Sequence, residues 1–299
     1  MNILTPRLKI AIAIATAGRR DVLSDTIGRL CGQTRMADEL LICPAREQDF
    51  DPACLAGYPG VARVFHGPVG SSSQRNVLLE ATAADVVIFF DDDFLPADDY
   101  VAEVDMFFTA YPGVVVATGA LVADGILGPG LAHDDGLRLL REAGAGRANF
   151  SIVTTHNGYG CNMAVRMRAI RRHRIRFDER LPLYAWLEDL DFSRQLAAHG
   201  EIVRFSRLRG VHLGTKGSGR GPGLRLGYSQ IANPVYLARK GTMAWPLARK
   251  HMAKNLLANA VRSLSPEPWV DRRGRLRGNL LAIRDWMRGR IDPRRILDF

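Results

Sequence analysis

The sequence predicts an α/β fold in which helices flank a central, mostly parallel sheet, with a basic helical extension at the C-terminus. Short apolar runs alternate with segments of helical periodicity along the first half of the chain, which is the pattern of parallel sheets covered by helices. The chain has 299 residues, of which 47% are hydrophobic and 24% are charged. That length and composition are typical of a globular protein with a large buried core.

Strands and helices alternate regularly in the first half. The run LKIAIAIA at residues 8–15 predicts a buried strand, and residues 20–31 place Leu23, Ile27 and Leu30 on one face of a helix. By the same criteria the further predicted strands are residues 39–43, 61–65, 85–90 and 113–122. The further predicted helices are residues 72–83 and 96–110.

The second half is less regular. Its predicted strands are residues 151–155, 162–166 and 201–205. Residues 187–199 predict a helix that ends at Gly200, and the glycine-rich residues 212–223 predict a mobile loop. From residue 226 the pattern is helical to the last residue. Breaks in it are expected near the prolines, which are Pro234, Pro246, Pro266 and Pro268.

The sequence argues against several classes of protein. No apolar run reaches the roughly 18 to 20 residues that a membrane-spanning helix needs. The first residues lack the basic start and the cleavage site of a signal peptide. The four cysteines have neither paired nor zinc-type spacing, which predicts reduced thiols and a cytoplasmic protein. They are Cys31, Cys43, Cys54 and Cys161.

The positive charge is concentrated at the C-terminus. The formal net charge is +10, and residues 239–299 contain 15 Lys or Arg against 5 Asp or Glu, so the remaining residues, with 26 of each sign, are neutral. This segment fits a solvated helical surface, a surface attracted to an anionic membrane, or a nucleic-acid contact. No zinc finger or RNA-binding motif accompanies it, so no nucleic acid is expected. Its tryptophans suit a membrane interface or a helical core, and they are Trp245, Trp269 and Trp286.

Three consecutive aspartates, Asp91, Asp92 and Asp93, follow the predicted strand at residues 85–90. Ligands of open α/β sheets bind beyond the carboxyl ends of the strands. Three adjacent carboxylates repel one another, and a hard divalent cation such as Mg²⁺ or Mn²⁺ relieves that repulsion. In an extended chain Asp91 and Asp93 point to the same side, so one can face a metal and the other a substrate hydroxyl. The alternative is an acidic turn before the next helix.

A second acidic cluster, Glu188, Asp189 and Asp191, lies at the start of the predicted helix at residues 187–199. Acids stabilise helix N-termini by roughly 0.3 to 1 kcal/mol each, and Asp191 and Arg194 have the spacing of an ordinary helical ion pair. A purely structural interpretation therefore stays open. Beside the first cluster, however, this second carboxylate site is a candidate source of a general base.

The order of these motifs resembles that of the family 2 glycosyltransferases, which are inverting nucleotide-sugar enzymes of the GT-A fold. The resemblance covers roughly residues 8–215. It begins with Ala15-Thr16-Ala17-Gly18-Arg19, which is similar to the strand-end Thr and basic residue of the family. It continues with an Arg-Asn loop at residues 70–76 and with Asp91-Asp92-Asp93 at the position of the Asp-x-Asp motif.

The later motifs of the family follow in the same order. Residues 160–166 resemble its acceptor-side strand, and Phe177-Asp178-Glu179 resembles the motif after that strand. Glu188-Asp189-Leu190-Asp191 is similar to its Glu-Asp motif, and Val211-His212 falls where a histidine often ends the catalytic domain.

The resemblance implies roles for individual residues. Asp189 would be the catalytic base with Glu188 beside it, Asp93 would ligate Mn²⁺ or Mg²⁺, and His212 would be a further ligand. The nucleotide sugar would be held by Thr16, Ala17, Arg19, Arg75, Asp91, Asp92, Lys216 and Arg220. The residues expected to contact the acceptor are Asn157, Tyr184 and Trp186.

The implied activity is metal-dependent, inverting transfer of a sugar from a nucleotide diphosphate sugar, with UDP-sugars favoured, to an acceptor hydroxyl. The acceptor would be a carbohydrate or a lipid-linked intermediate of bacterial polysaccharide or glycolipid synthesis. The protein would act in the cytoplasm, at the inner face of the plasma membrane if the basic segment binds lipid. The catalytic domain would span residues 1–225, with a nucleotide-sugar half at 1–123 and an acceptor half at 124–225, before the helical segment 226–299.

One departure from the family pattern concerns the nucleotide base. The second strand runs into Cys43-Pro44, where the family usually carries an acidic residue that helps to hold the nucleotide base. The identity of that nucleotide base therefore stays open. Two alternative functions also stay open. A nucleotidyltransferase on a similar sheet would need a longer glycine-rich loop than residues 17–20 provide. A non-catalytic nucleic-acid-binding protein would leave both acidic clusters unexplained.

Overall fold

The computed structural model of the protein describes residues 7–144, 150–216 and 223–299. Its strands are β1 Ile10–Thr16, β2 Glu39–Pro44, β3 Ala62–Val64, β4 Val86–Asp91, β5 Phe94–Pro96, β6 Val114–Asp124, β7 Ile152–Thr154, β8 Asn162–Arg166 and β9 Glu201–His212. Its helices are α1 Arg20–Leu30, α2 Ser71–Glu80, α3 Tyr100–Ala110, α4 His133–Glu142, α5 Met167–His173, α6 Glu188–Leu196, α7 Gly223–Lys240, α8 Trp245–Arg262 and α9 Arg272–Met287.

The strands of the described ranges form one mixed sheet in the order β3-β2-β1-β4-β8-β6-β9-β5, with β7 paired to β9. Six of them (β1 to β4, β6 and β9) run in one direction, which agrees with the predicted mostly parallel sheet. β8 lies antiparallel between β4 and β6. The sequence does not reveal this insertion because hydrophobic periodicity carries no information about strand direction or neighbours.

Each face of the sheet has its own hydrophobic core. In β1, Ile10, Ile12 and Ile14 pack into one core and Ala11 and Ala13 into the other, because successive side chains of a strand point to opposite faces. Helices α1 and α3 cover the isoleucine face, whereas α2 and α6 cover the alanine face. Both faces are therefore buried, which explains why the strand is apolar throughout.

Several predicted boundaries change because pairing and packing override the local sequence. The helix predicted at residues 96–110 begins at Tyr100, since Phe94–Pro96 pairs with β9 instead. β9 extends beyond the predicted residues 201–205 and reaches His212 because it pairs with β6 along most of its length. Helices α4 and α5 were not predicted from the sequence pattern. Helix α4 is held by tertiary packing of its leucines near Leu213.

Helices α7, α8 and α9 make up most of the chain from residue 223 onward and include most of the C-terminal basic residues. α7 continues through Pro234, so the break predicted there is wrong, because the packing of this largely buried helix outweighs the backbone hydrogen bond that proline removes. Pro246 instead lies in the first turn of α8, where a missing N–H costs little. No helix in the described ranges is both long enough and apolar enough to cross a membrane.

The C-terminal helices are tied to the helix that carries the second acidic cluster. Lys240 Nζ lies 2.7 Å from carboxylate oxygens of both Asp178 and Asp191, and the Thr242 hydroxyl donates to Asp191 at 2.6 Å. Asp191 is fully buried, and its contacts with Lys240 and Thr242 join α6 to the end of α7. Arg194, the alternative partner suggested by its spacing, donates to the His156 carbonyl instead. The domain boundary near residue 225 and the division near residue 123 stay predictions.

A glycine contact sets the distance between α7 and α9. A Cβ atom at Gly227 would overlap the Arg275 carbonyl oxygen. We expect Gly227→Ala to lower the free energy of unfolding by about 1 to 3 kcal/mol, because the two helices would have to separate. A Cβ atom at Gly28 in α1 would meet no described heavy atom within 4 Å, so Gly28→Ala should raise stability by about 0.5 to 1 kcal/mol. Urea denaturation of both variants measures the contrast, and equal effects would contradict it.

Candidate functional site

The register of the sheet brings the predicted site residues to one edge. Ala15 in β1 pairs with Asp91 in β4, so Thr16 and the aspartate cluster leave the sheet side by side. Asp124 in β6 pairs with His212 in β9 at the same edge. A cavity of about 680 Å³ opens there. Ten of the residues predicted for the site line it, namely Thr16, Ala17, Arg19, Arg75, Asp91, Asn157, Tyr184, Trp186, Glu188 and Asp189.

Arg75 joins the two acidic clusters. Its guanidinium donates to Glu188 Oε1 at 2.7 Å, to Asp91 Oδ1 at 2.9 Å and to the Gly160 carbonyl at 3.1 Å. The residue is only 3% exposed and its charge lies against the rings of Phe89 and Phe177. Carboxylates that are far apart in sequence therefore meet around one buried cation.

Arg19 and Thr16 engage the other two aspartates. Arg19 lies 2.6 Å from Asp92 Oδ1 and 3.0 Å from Asp93 Oδ2, and the Thr16 hydroxyl donates to Asp92 Oδ2 at 2.6 Å. Asp92 is fully buried and lies outside the cavity lining. Burial raises the pKa of Asp92 to about 7, although the Arg19 charge opposes the shift. Asp92 therefore connects the ends of β1 and β4, and its contact with a nucleotide stays a prediction.

Asp91, Asp93 and His212 form a group that suits a divalent metal. One potential ligand atom from each lies within 4.8 Å of the others. Asp93 Oδ1 is buried without a hydrogen-bond partner among the described residues, and His212 Nε2 lies 3.4 Å from it. Two carboxylates and an imidazole match the preferences of Mn²⁺, and an unsatisfied buried carboxylate oxygen is the feature that a cation would complete. These residues therefore fit the predicted metal.

Asp124 contacts the ring nitrogen of His212 that faces away from Asp93, and the sequence did not predict this contact. Its Oδ1 lies 2.8 Å from His212 Nδ1, and the Tyr159 hydroxyl donates to its Oδ2 at 3.3 Å. Burial alone would lower the pKa of His212, but its hydrogen bond with Asp124 and the negative charge of the nearby Asp93 raise the pKa to about 10. A carboxylate behind a histidine fixes the ring orientation and directs the other nitrogen toward a metal. The position of Asp124 next to the end of a predicted strand is the signal that could have found it.

Asp189 of the second acidic cluster has its carboxylate fixed in orientation at the cavity wall. Asp189 Oδ2 accepts a hydrogen bond from the Gly160 N–H at 3.0 Å, and Oδ1 accepts one from the Leu190 N–H at 2.7 Å. Glu188 instead accepts a hydrogen bond from the Arg75 guanidinium. Burial raises the pKa of Asp189, and it raises the pKa of Glu188 to about 8 even though the Arg75 charge opposes the shift.

A strained loop before α6 carries the predicted acceptor residues. Leu183, Ala185 and Leu187 all have positive φ angles, of 58°, 51° and 76°, which non-glycine residues rarely adopt. Packing holds the loop, because Ala185 lies in a hydrophobic cluster with residues of α7 and α8, and Asn233 donates to the Trp186 carbonyl at 2.8 Å. The C-terminal helices thus determine the shape of this side of the cavity.

The predicted acceptor residues and Lys216 have different surroundings. Tyr184 is 40% exposed, and the Trp186 ring packs edge-on against His251 of α8. The Asn157 side chain donates to the Gly158 carbonyl at 2.6 Å. Lys216 Nζ donates to the Ile126 carbonyl at 2.6 Å and lies outside the cavity lining, and Arg220 lies outside the described residues.

The C-terminal helices contribute to the cavity, which the sequence motifs did not predict. Residues 226–299 were expected to form a separate helical segment, but α7 and α8 supply part of the cavity wall. The residues that they contribute are Arg225, Leu226, Ser229, Leu247 and His251. No motif marks them, because they reach the cavity only through the packing of α7 against α6 and the loop before it.

Comparison with known proteins identifies the family. Residues 11–174 match the family described as Glycosyl transferase family 2. The chain belongs to glycosyl transferase family 2. That match covers the aspartate cluster, Arg75 and β8, so the resemblance stated from the motifs is confirmed. No curated protein sequence matches the chain.

Solved structures of glycosyltransferases share the fold. The mannosyltransferase PcManGT from Pyrobaculum calidifontis, in complex with GDP-Man and Mn²⁺, is 15% identical with a TM-score of 0.56, over 93% of this chain and 86% of that one. S. aureus TarS 1-349, in complex with UDP-GlcNAc, is 14% identical with a TM-score of 0.56, over 97% of this chain and 83% of that one. At these identities the likeness shows the fold, which confirms the predicted GT-A architecture.

We expect Asp124→Asn to weaken Mn²⁺ binding by about tenfold to a hundredfold, because His212 would lose the charged group that orients its ring. Calorimetric titration with Mn²⁺ measures the change. Asp134→Asn removes one carboxylate from an exposed position and should leave the affinity unchanged. Equal affinity in the wild-type protein and in Asp124→Asn would argue against His212 as a ligand.

Proposed function

We propose that this glycosyltransferase is a metal-dependent, inverting enzyme that moves a sugar from a nucleotide diphosphate sugar to an acceptor hydroxyl. The observation that carries the proposal is a single cavity lined by Asp91, Arg75, Glu188 and Asp189, with Asp93 and His212 beside it. Family membership favours sugar transfer over the nucleotidyltransferase and nucleic-acid-binding alternatives.

Asp91, Asp93 and His212 are the proposed holders of a Mn²⁺ or Mg²⁺ ion. A divalent cation there would neutralise the negative charge that develops on the departing nucleoside diphosphate. Thr16, Ala17 and the basic residues Arg19 and Arg75 are the proposed contacts of the nucleotide sugar. PcManGT binds GDP-Man with Mn²⁺ and TarS binds UDP-GlcNAc, which supports a nucleotide-sugar donor. Because the two nucleotide bases differ, the base that this protein uses has to be measured. We favour a UDP-sugar.

Asp189 is the proposed general base. Its two hydrogen bonds with backbone N–H groups hold the carboxylate in place, and each oxygen retains a lone pair for an acceptor hydroxyl. Glu188 is paired with Arg75, so its proposed role is to position that cation. The acceptor oxygen attacks the anomeric carbon while the bond from that carbon to the diphosphate oxygen breaks. Asp189 accepts the hydroxyl proton, and a single displacement inverts the anomeric configuration.

The proposed acceptor site is the side of the cavity that Asn157, Tyr184 and Trp186 line. Two aromatic side chains suit stacking against a sugar ring or contact with a lipid portion. We propose a carbohydrate or lipid-linked acceptor from bacterial polysaccharide or glycolipid synthesis, with the protein in the cytoplasm or at the inner face of the plasma membrane.

Titration with UDP, GDP, dTDP and CDP, each with and without Mn²⁺, tests the donor. We expect metal-dependent stabilisation by UDP, and a ligand at 100 times its dissociation constant should add about 2.7 kcal/mol to the free energy of unfolding. Thermal melting measures the shift. The Asp93→Asn variant should lose the metal dependence. Stabilisation by none of the four nucleotides would contradict the proposed function, and stabilisation by another base would correct the donor.

Replacement of Asp189 tests the base. We expect Asp189→Asn to lower kcat by about 10²- to 10⁴-fold, because the variant cannot accept the hydroxyl proton. Nucleotide binding and the unfolding temperature should stay close to those of the wild-type protein. Asp21→Asn, at a side chain that is 98% exposed, is the matched control and should keep full activity.

The pH profile of the wild-type enzyme provides an independent check on the same residue. The base acts in its ionised form and burial raises its pKa, so kcat/KM should rise with pH through an apparent pKa above the usual Asp value of about 3.9. If the acidic limb of the kcat/KM profile has the ordinary pKa of an Asp side chain, or if Asp189→Asn keeps full activity, Asp189 is not the general base.

A further inference from the structure

Helices α8 and α9 form an antiparallel hairpin on α7. The rings of Trp245 and Trp286 stack at one end of the hairpin, with centroids 6.4 Å apart. Near the other end, buried Asn259 donates to Gln230 of α7 at 2.8 Å, and buried Asn279 donates to the Gly227 carbonyl of α7 at 2.6 Å. One face of each helix is therefore buried against α7, and the opposite faces point outward.

The outward faces carry exposed side chains at helical spacing. On α8 and just beyond it they are Lys250, Lys254, Leu257, Val261 and Leu264. On α9 they are Arg273, Arg277, Leu280, Arg284 and Met287. We call these ten residues the hairpin face. Large apolar groups on it are unusually open to solvent, since Leu264 is 84% and Met287 is 77% exposed.

The charged members of the hairpin face are all basic. Most of the nearby carboxylate contacts go to other groups, because Glu267 pairs with Arg262 and Arg272, and buried Asp285 accepts a hydrogen bond from Tyr228. Arg284 of the hairpin face lies 3.9 Å from Asp285 Oδ1. Asp271 caps the N-terminus of α9. Among the described residues, four cations of the hairpin face have no carboxylate within ion-pair distance, namely Lys250, Lys254, Arg273 and Arg277.

We propose that the hairpin face docks on an anionic lipid membrane. Lys and Arg side chains attract acidic headgroups, and the Leu, Val and Met side chains between them can enter the boundary between headgroups and acyl chains. Charge complementarity and exposed apolar groups on one face favour this partner. A surface that contacts nucleic-acid bases would carry polar or aromatic side chains between its basic residues, whereas the five other members of the hairpin face are Leu, Val and Met.

The docking surface lies close to the cavity. Leu247 and His251 line the cavity from the first turns of α8, and Lys250 of the hairpin face lies between them in sequence. Docking would therefore hold the cavity within about one helix diameter, roughly 10 Å, of the lipid surface. A lipid-linked acceptor would then be within reach, a consequence that rests on the proposed function. Vesicle binding itself does not depend on sugar transfer, so the two proposals can fail separately.

Co-sedimentation of the full chain with vesicles tests the proposal. The protein should bind vesicles that contain phosphatidylglycerol and phosphatidylcholine, more weakly as salt rises, and should not bind phosphatidylcholine alone. The triple variant Lys250→Glu, Lys254→Glu and Arg277→Glu should lower the partition coefficient by at least about tenfold.

A matched control separates the hairpin face from net charge. The triple variant Arg46→Glu, Arg168→Glu and Arg172→Glu reverses the same number of exposed charges elsewhere and should bind vesicles nearly as the wild-type protein does. The double variant Leu257→Ser and Leu264→Ser keeps every charge and should also weaken binding, because fewer apolar groups would reach the lipid. Both side chains are exposed, so this variant should fold normally.

Several results would overturn the proposal. Equal losses in the two triple variants would show that net charge alone governs binding. Vesicle binding that Lys250→Glu, Lys254→Glu and Arg277→Glu leave unchanged would locate the contact elsewhere. Salt-sensitive binding to duplex DNA without vesicle binding would assign the face to nucleic acid, and a dimer that the same variant dissociates would assign it to a second copy of the chain.

Discussion

The buried guanidinium of Arg75 is the interaction on which the candidate site depends. It bridges Asp91 and Glu188, which belong to the two acidic clusters, and its desolvation is offset by two carboxylates, a carbonyl and two aromatic rings. Removal of one member of a buried ion pair typically costs about 3 to 5 kcal/mol, because the partner charge stays buried and uncompensated. The same contact therefore holds α2, β4 and α6 together and sets the positions of both acidic clusters.

The sheet supplies the second constraint. Parallel pairing aligns the carboxyl ends of β1 with β4 and of β6 with β9, so Thr16, Asp91, Asp124 and His212 meet at one edge without any local motif that links them. The contacts at this edge of the sheet depend on one another. Asp124 orients His212, and His212 faces the otherwise unsatisfied oxygen of Asp93. The arrangement of this candidate metal site depends on strand register as much as on residue type.

The C-terminal helices give the cavity its other wall. Their inner side packs against the strained loop at Leu183, Ala185 and Leu187 and closes the proposed acceptor side, whereas their outer side carries exposed charge. The charge asymmetry of the sequence thus belongs to a structural part of the candidate site. Basic residues can be concentrated in this segment because most of them lie on exposed helix faces, where water solvates the charge.

Local patterns in the sequence are enough to predict the α/β class, most of the strands and helices, and the residue types at the site, because periodicity and motifs are local properties of the chain. Packing between distant segments instead sets the antiparallel insertion of β8, the continuation of α7 through Pro234, the contact of Asp124 with His212 and the C-terminal wall of the cavity. These depend on which distant segments pack together. Which segments pack together is determined by the free energy of burial and strand pairing over the whole molecule, and no short stretch of sequence encodes that sum.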